Sequence, residues 1–352
     1  MTMQRGSPSM DRIIAVGVRA VPGLSFVVCT LGTGAALAGF ALCLYLSYCY
    51  PASKQHASQG QNALWAGHRW VGESHASSEY MRLAHRLEGH GISDVFFHVG
   101  PLSAEGRIDQ ERFRNAMDLV ENLKALYPEV RVQAWLGQIE VAGGGPLDLD
   151  DDEVRDAIVA TATAFLDMGF DGIHYNIEPV SSGDRDFIDL LRRTRSVARV
   201  RGKVVSVAAD ELEPFPGTER IVRLFAKQAG LWNRQYYLEV ADSVDQIAVM
   251  MYDTALPTDW LYSTLVAWET RNIVELVGHR VIVFMGVPSY EDQRWSFNPK
   301  AENVESGLRG IQNGLEGFEG DELRNFGVAI YAEWTTDEEE WALYRREWLG
   351  VN

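Results

Sequence analysis

Asp171-Gly172-Ile173-His174-Tyr175-Asn176-Ile177-Glu178-Pro179 is the stretch on which the reading of this chain turns. Residues 172–177 form a short run rich in aromatic and β-branched side chains, soon closed by a proline, which is the pattern of a strand. Side chains alternate along a strand, so His174, Asn176 and Glu178 share one face and Tyr175 and Ile177 the other. One face is fit to lie against helices. The other carries three polar groups inward, which is costly unless they are hydrogen-bonded to one another. Function is a common reason to keep such a triplet, and the C-terminal end of a parallel strand is where barrels hold their chemistry.

Outward from this strand the same unit recurs. Apolar, β-rich runs occur at 64–71 (LWAGHRWV), 94–99 (DVFFHV), 130–136 (VRVQAWL), 172–177, 204–209 (VVSVAA), 246–252 (QIAVMMY), 280–287 (RVIVFMGV) and 327–332 (GVAIYA). Each is followed by helical periodicity, near 77–88, 110–126, 151–168, 184–200, 219–240, 259–276, 301–315 and 337–349. Eight strands alternating with eight helices predict an α/β fold, a (β/α)8 TIM barrel. A doubly wound open sheet is the alternative, but WVGESHASS follows the first strand and carries neither GxGxxG nor a Walker sequence. Asp148, Asp150, Asp151, Asp152 and Glu153 cluster at the start of the third helix; such a run can hold calcium, but more often caps an N-terminus and complements its dipole.

Composition narrows the function. Of 352 residues, 46% are hydrophobic and 23% charged, ordinary globular values. Lys and Arg number 32 against 49 Asp and Glu, a net charge of −17 that repels phosphate backbones, so no nucleic acid is expected as a partner. Cys29, Cys43 and Cys49 all lie before residue 51, which excludes a cysteine nucleophile, a disulfide framework and a Cys-ligated zinc site from the barrel.

No charge interrupts the chain between Arg19 and Lys54, and residues 23–50 read GLSFVVCTLGTGAALAGFALCLYLSYCY. About 20 apolar residues span a bilayer as a helix. Arg5, Arg12 and Arg19 precede the span, and positive flanks stay inside. The expected organisation is a short cytoplasmic N-terminus (1–22), a single transmembrane helix (23–50), a polar linker (51–63) and an extracytoplasmic barrel (64–352). A cleaved or lipidated signal and a buried soluble helix are the competing readings.

The strand-four motif resembles that of the family 18 glycoside hydrolases, the chitinase-like barrels, whose fourth strand carries Asp-Gly-x-Asp-x-Asp-x-Glu. Asp171-Gly172 and Glu178 match it, while His174 and Asn176 replace the middle aspartates. Asp245-Gln-Ile-Ala-Val-Met250-Met-Tyr252-Asp253 is similar to the family's sixth-strand Asp-x-x-x-x-Met-x-Tyr-Asp, and Gly286-Val-Pro288-Ser-Tyr290 to its Gly-x-Pro-x-Tyr. Tyr331 stands where a tryptophan usually floors the sugar site, with Trp334 nearby, and Leu136-Gly137-Gln138 departs from the usual Ser-x-Gly-Gly.

The resemblance implies a retaining, substrate-assisted hydrolase of β-linked N-acetylglucosamine glycans, with no metal or other cofactor. The substrate's own acetamide oxygen attacks the anomeric carbon. Glu178 would be the acid, Asn176 would orient the acetamide, and Tyr252 would donate to its oxygen. Asn176-Ile-Glu178 also has the form of the Asn-x-Glu pair of the family 85 endo-N-acetylglucosaminidases. His174, Asp171, Asp253, Tyr290, Tyr331 and Trp334 would bind substrate. Losing a neighbouring carboxylate predicts a more acidic optimum than in a member with all three acids, and His174 predicts pH sensitivity near 6.5. The rival readings are a catalytically inactive chitinase-like lectin, a metal-dependent hydrolase using His68, His98, His174 and Asp210, and a purely structural ectodomain.

Overall fold

The computed structural model describes residues 58, 60–220 and 230–351. The chain divides into two units, Met1–Tyr48 and Cys49–Asn352. The apolar span 23–50 lies outside the described residues. Among those described, no helix is long and apolar enough to cross a membrane.

Eight parallel strands close into a barrel in chain order. They are β1 (Ala63–Ala66), β2 (Asp94–Pro101), β3 (Arg131–Ile139), β4 (Gly172–Glu178), β5 (Val204–Ala209), β6 (Gln246–Met250), β7 (Ile282–Pro288) and β8 (Phe326–Tyr331). After them come helices α1 (Ser77–Gly89), α2 (Ala116–Leu126), α3 (Asp152–Asp167), α4 (Arg185–Val200), α5 (Arg234–Ala241), α6 (Asp259–Val277), α7 (Val304–Gly314) and α8 (Glu338–Tyr344). The expected first strand is cut short. After Ala66 the chain turns into one helical turn, Arg69–Gly72, whose Trp70 and Val71 are buried. The acidic run before α3 is a cap, with Asp151 accepting from the Glu153 amide at 2.9 Å. Asp184, Asn233, Thr258, Asn303 and Asp337 cap α4 to α8 in the same way.

The outer face of β4 is as expected. Tyr175 is fully buried, its hydroxyl 2.8 Å from Thr194 Oγ1 on α4. The inner face holds a buried polar chain. Trp65 Nε1 donates to His174 Nε2 at 3.0 Å, so His174 carries its proton on Nδ1 and donates to Ser206 Oγ at 2.8 Å. Ser206 donates to Gln133, and the Gln133 and Gln246 amides both donate to Asp94 Oδ1. Arg131 closes the chain with hydrogen bonds to both Asp94 oxygens, at 2.7 and 2.6 Å. Every member is satisfied, which lets a barrel core carry this much polarity.

Two expected binding residues leave the site at this point. His174 is fully buried, stacked on Phe96 at 3.8 Å with both ring nitrogens engaged. Burial pushes its pKa down to about 3, so it stays neutral and is no sensor near pH 6.5. Asp171 precedes β4, at the end of the barrel opposite the mouth, where it pairs with Lys124 and Lys203, each at 3.0 Å. It anchors the foot of the strand.

Candidate active site

Above the Trp65 indole the barrel opens into an aromatic bowl. Trp65 lies edge-on to Tyr331 at 5.6 Å and Tyr252 at 6.5 Å. Tyr252 and Tyr331 face each other at 5.0 Å and 28°, and Tyr290 stands edge-on to both. Trp334, 49% exposed, reaches Tyr331 at 5.7 Å and forms the rim. β6, β7 and β8 thus place Tyr252, Tyr290, Tyr331 and Trp334 together, although strand parity alone points Trp334 elsewhere.

Glu178 ends β4 beside them. Its carboxyl is pushed up to about 7, chiefly by burial and secondarily by the Asp253 charge, while a hydrogen bond from Asn176 opposes the shift. Asn176 therefore spends its N–H on Glu178, and its Oδ1 is buried without a donor. Glu178 is thus no ordinary acid: burial, with the Asp253 charge, holds much of its proton near neutrality. Asp253 sits in the left-handed region at φ 61, a conformation that costs a non-glycine residue energy and is typical of functional loops. Ser296 and Tyr290 donate hydrogen bonds to its carboxylate. Tyr290 is thus committed to holding Asp253.

Two acids were given no role from the sequence. Glu211 follows β5, and its carboxyl is pushed up to about 7 by burial, then by repulsion from Glu302, Glu178 and Asp253. Its position at a strand end was the available signal. Glu302 is fully buried and accepts from the Thr254 amide at 3.0 Å, pinning the loop that carries Asp253. It lies in the loop just before α7, within the stretch 301–315 that reads as helix in the sequence, so nothing there marked it as part of a site.

His68 and His98 lie with their rings 5.6 Å apart, but His174 does not join them. His68 Nδ1 lies 2.9 Å from the His98 carbonyl oxygen, His98 is held near pKa 4 by burial, and His174 is sealed below. Among the described residues no group of three or more His, Cys, Asp or Glu could hold a metal ion.

The raised carboxyls fix a sign for stability. A group whose folded pKa lies near 7, against 4.5 ordinarily, gives its full stabilisation below about pH 4.5 and loses it as the pH climbs to about 7. Glu211→Gln is expected to raise the unfolding temperature at pH 8 and leave it unchanged at pH 4.5. A melting series across that range checks this, and equal shifts at both ends would contradict it.

Solved structures resemble this architecture, although no family model and no curated protein matches the sequence. The Group IV chitinase of Ostrinia furnacalis superposes with a TM-score of 0.55 at 14% identity, over 82% of this chain and 99% of that one. A chitinase from Chromobacterium violaceum gives 0.52 at 14%, over 82% and 98%. The spore cortex-lytic enzyme SleL of Bacillus cereus gives 0.54 at 10%, over 85% and 76%. What they share with this chain is the barrel. At such identities the likeness is one of fold, and any role for the bowl rests on its own residues.

Proposed function

We propose that the chain is a glycoside hydrolase that cleaves β-linked N-acetylglucosamine glycans with retention, using the substrate's acetamide as nucleophile. The observation that carries this reading is the Asn176–Glu178 pair. An acid kept protonated to about 7 stands next to an amide whose oxygen has no partner. A retaining enzyme with its own nucleophile needs a second, ionised carboxylate beside the acid. Here Glu211 and Glu302 also have pKa values pushed up to about 7. Asp253 is the ionised carboxylate nearby, and Ser296 and Tyr290 hold it. The likeness of the β4 motif to the family 18 pattern supports the substrate's acetamide as the nucleophile, its N–H donating to Asn176 Oδ1.

In this scheme Glu178 protonates the glycosidic oxygen as the acetamide oxygen closes on the anomeric carbon. Tyr252 donates to the acetamide oxygen and orients it. Its hydroxyl is held far above the ordinary tyrosine range by burial, so it stays a donor at any working pH. Glu178, now ionised, then takes a proton from water as water opens the oxazolinium, giving the β-anomer. Asp253 accepts from a sugar hydroxyl, and Tyr331 and Trp334 offer the apolar faces on which sugar rings stack. The apolar residues 23–50 and their arginine flank support a membrane-anchored enzyme with its barrel outside the cytoplasm.

The acetamide requirement is the test. An aryl N,N′-diacetylchitobioside is expected to turn over, and the matching aryl cellobioside, lacking acetamides, to be inert. Equal turnover of both contradicts the mechanism. Binding of the chitobioside without turnover makes the protein a lectin.

A further inference from the structure

We infer that the loop joining β7 to α7 holds the sugar next to the one in the bowl, and that Arg294 in that loop pairs with a carboxylate on it, so that the substrate is an acidic acylamino glycan. The inference rests on the reading that an acylamino sugar occupies the bowl.

Residues 289–303 join β7 to α7 at the mouth of the barrel. Arg294 and Phe297 exchange backbone hydrogen bonds at 3.1 and 3.3 Å, which closes a turn. Phe297 stacks on Tyr290 at 4.1 Å, and the Arg294 guanidinium lies over the same ring, its carbon 5.5 Å from the ring centre. The Ser296 carbonyl accepts from the Ala255 amide at 2.8 Å, tying the turn to the loop that carries Asp253. Arg294 is thus fixed at the rim yet exposed to solvent. Its charge opposes the upward shifts of Asp253, Tyr290 and Tyr331, so it bears on the β6 to β8 side of the bowl.

A guanidinium laid on an aromatic face and open to solvent is fit to grip a carboxylate, whose two oxygens match its fork of donors. Acids outnumber bases 49 to 32, and Glu291 and Asp292 lie in the same loop. Yet among the described residues no carboxylate forms an ion pair with Arg294. A carboxylate on the sugar inside the bowl would meet Glu178, Glu211 and Asp253, acids whose own charges already repel one another. At the rim the balance reverses, so the anionic group belongs on the neighbouring sugar. Trp295, the next residue of the loop, is 83% exposed and offers an indole face for that ring. A neutral glycan leaves Arg294 hydrated, whereas an acidic one gains a charge pair.

The test compares kcat/KM of the full-length chain on neutral chitotetraose and on two acidic tetrasaccharides. One alternates N-acetylglucosamine with N-acetylmuramic acid, whose carboxylate hangs on a lactyl ether. The other is the hyaluronan tetrasaccharide, whose carboxylate belongs to a uronic acid ring. An acidic substrate is expected to outpace chitotetraose, and which of the two does so identifies the source of the carboxylate. Arg294→Gln is expected to cut that preference, the ratio of acidic to neutral kcat/KM, by about fivefold, the upper range for an exposed ion pair. Added salt should erode it likewise, and Arg294→Lys, which keeps the charge, should keep most of it. A wild type that prefers chitotetraose, or a ratio unmoved by Arg294→Gln, overturns the role of Arg294 and leaves the acylamino reading standing. No turnover of any of these substrates overturns the hydrolase reading and this inference with it.

Discussion

Glu178→Gln is expected to lower kcat on an aryl N,N′-diacetylchitobioside by roughly 10²–10⁴-fold, the range for loss of a positioned general acid. Glutamine keeps the shape and the neutral charge of the protonated acid, so KM should change little. The carboxyl lies beside Asn176 and is kept protonated to about 7 by burial and by Asp253. An amide fills that place but has no proton to give. The loss should shrink as the leaving phenol becomes more acidic, because a good leaving group needs less protonation. Activity in the wild type should fall as pH rises past about 7, where Glu178 ionises. The variant should lose that limb of the profile. Rates across a series of aryl chitobiosides check both points. Retention of more than about a tenth of wild-type activity on the poorest leaving group would move the acid elsewhere, with Glu211 the next carboxyl to test.

Trp65→Ala is expected to destabilise the barrel by about 3–5 kcal/mol, the range for deleting a buried tryptophan. Trp65 is fully buried and packs against Phe96 at 5.5 Å, Tyr331 at 5.6 Å and His174 at 5.8 Å. Its Nε1 also satisfies His174, so truncation leaves a cavity and an unpaired imidazole acceptor together. Trp65→Phe should cost less, since it keeps most of the volume. Calorimetry should show Trp65→Ala melting on the order of 10 °C lower. An unchanged melting temperature would show that the polar chain beneath the bowl does not depend on this indole.

The barrel was legible because each strand is apolar and bounded by turn residues, and because helices follow at regular intervals. β4 showed its polar triplet through alternation alone. Alternation tells which side chains face inward but not how deep they lie. His174 and Glu178 share a face, yet His174 is sealed under Trp65 while Glu178 opens on the bowl. Depth depends on what the other seven strands put across the barrel, here Trp65, Phe96 and Ser206. Asp171 was misplaced for a related reason, since a motif groups residues along a strand whose two ends serve different purposes.

The stereochemistry of the first product tests the central claim most directly. Proton NMR of chitooligosaccharide hydrolysis, recorded faster than mutarotation, separates the two anomers at the new reducing end. Attack by the acetamide followed by water predicts the β-anomer first. The α-anomer formed first would mean direct displacement by water, which would assign the second role to a carboxylate such as Glu211 or Asp253 and contradict substrate assistance.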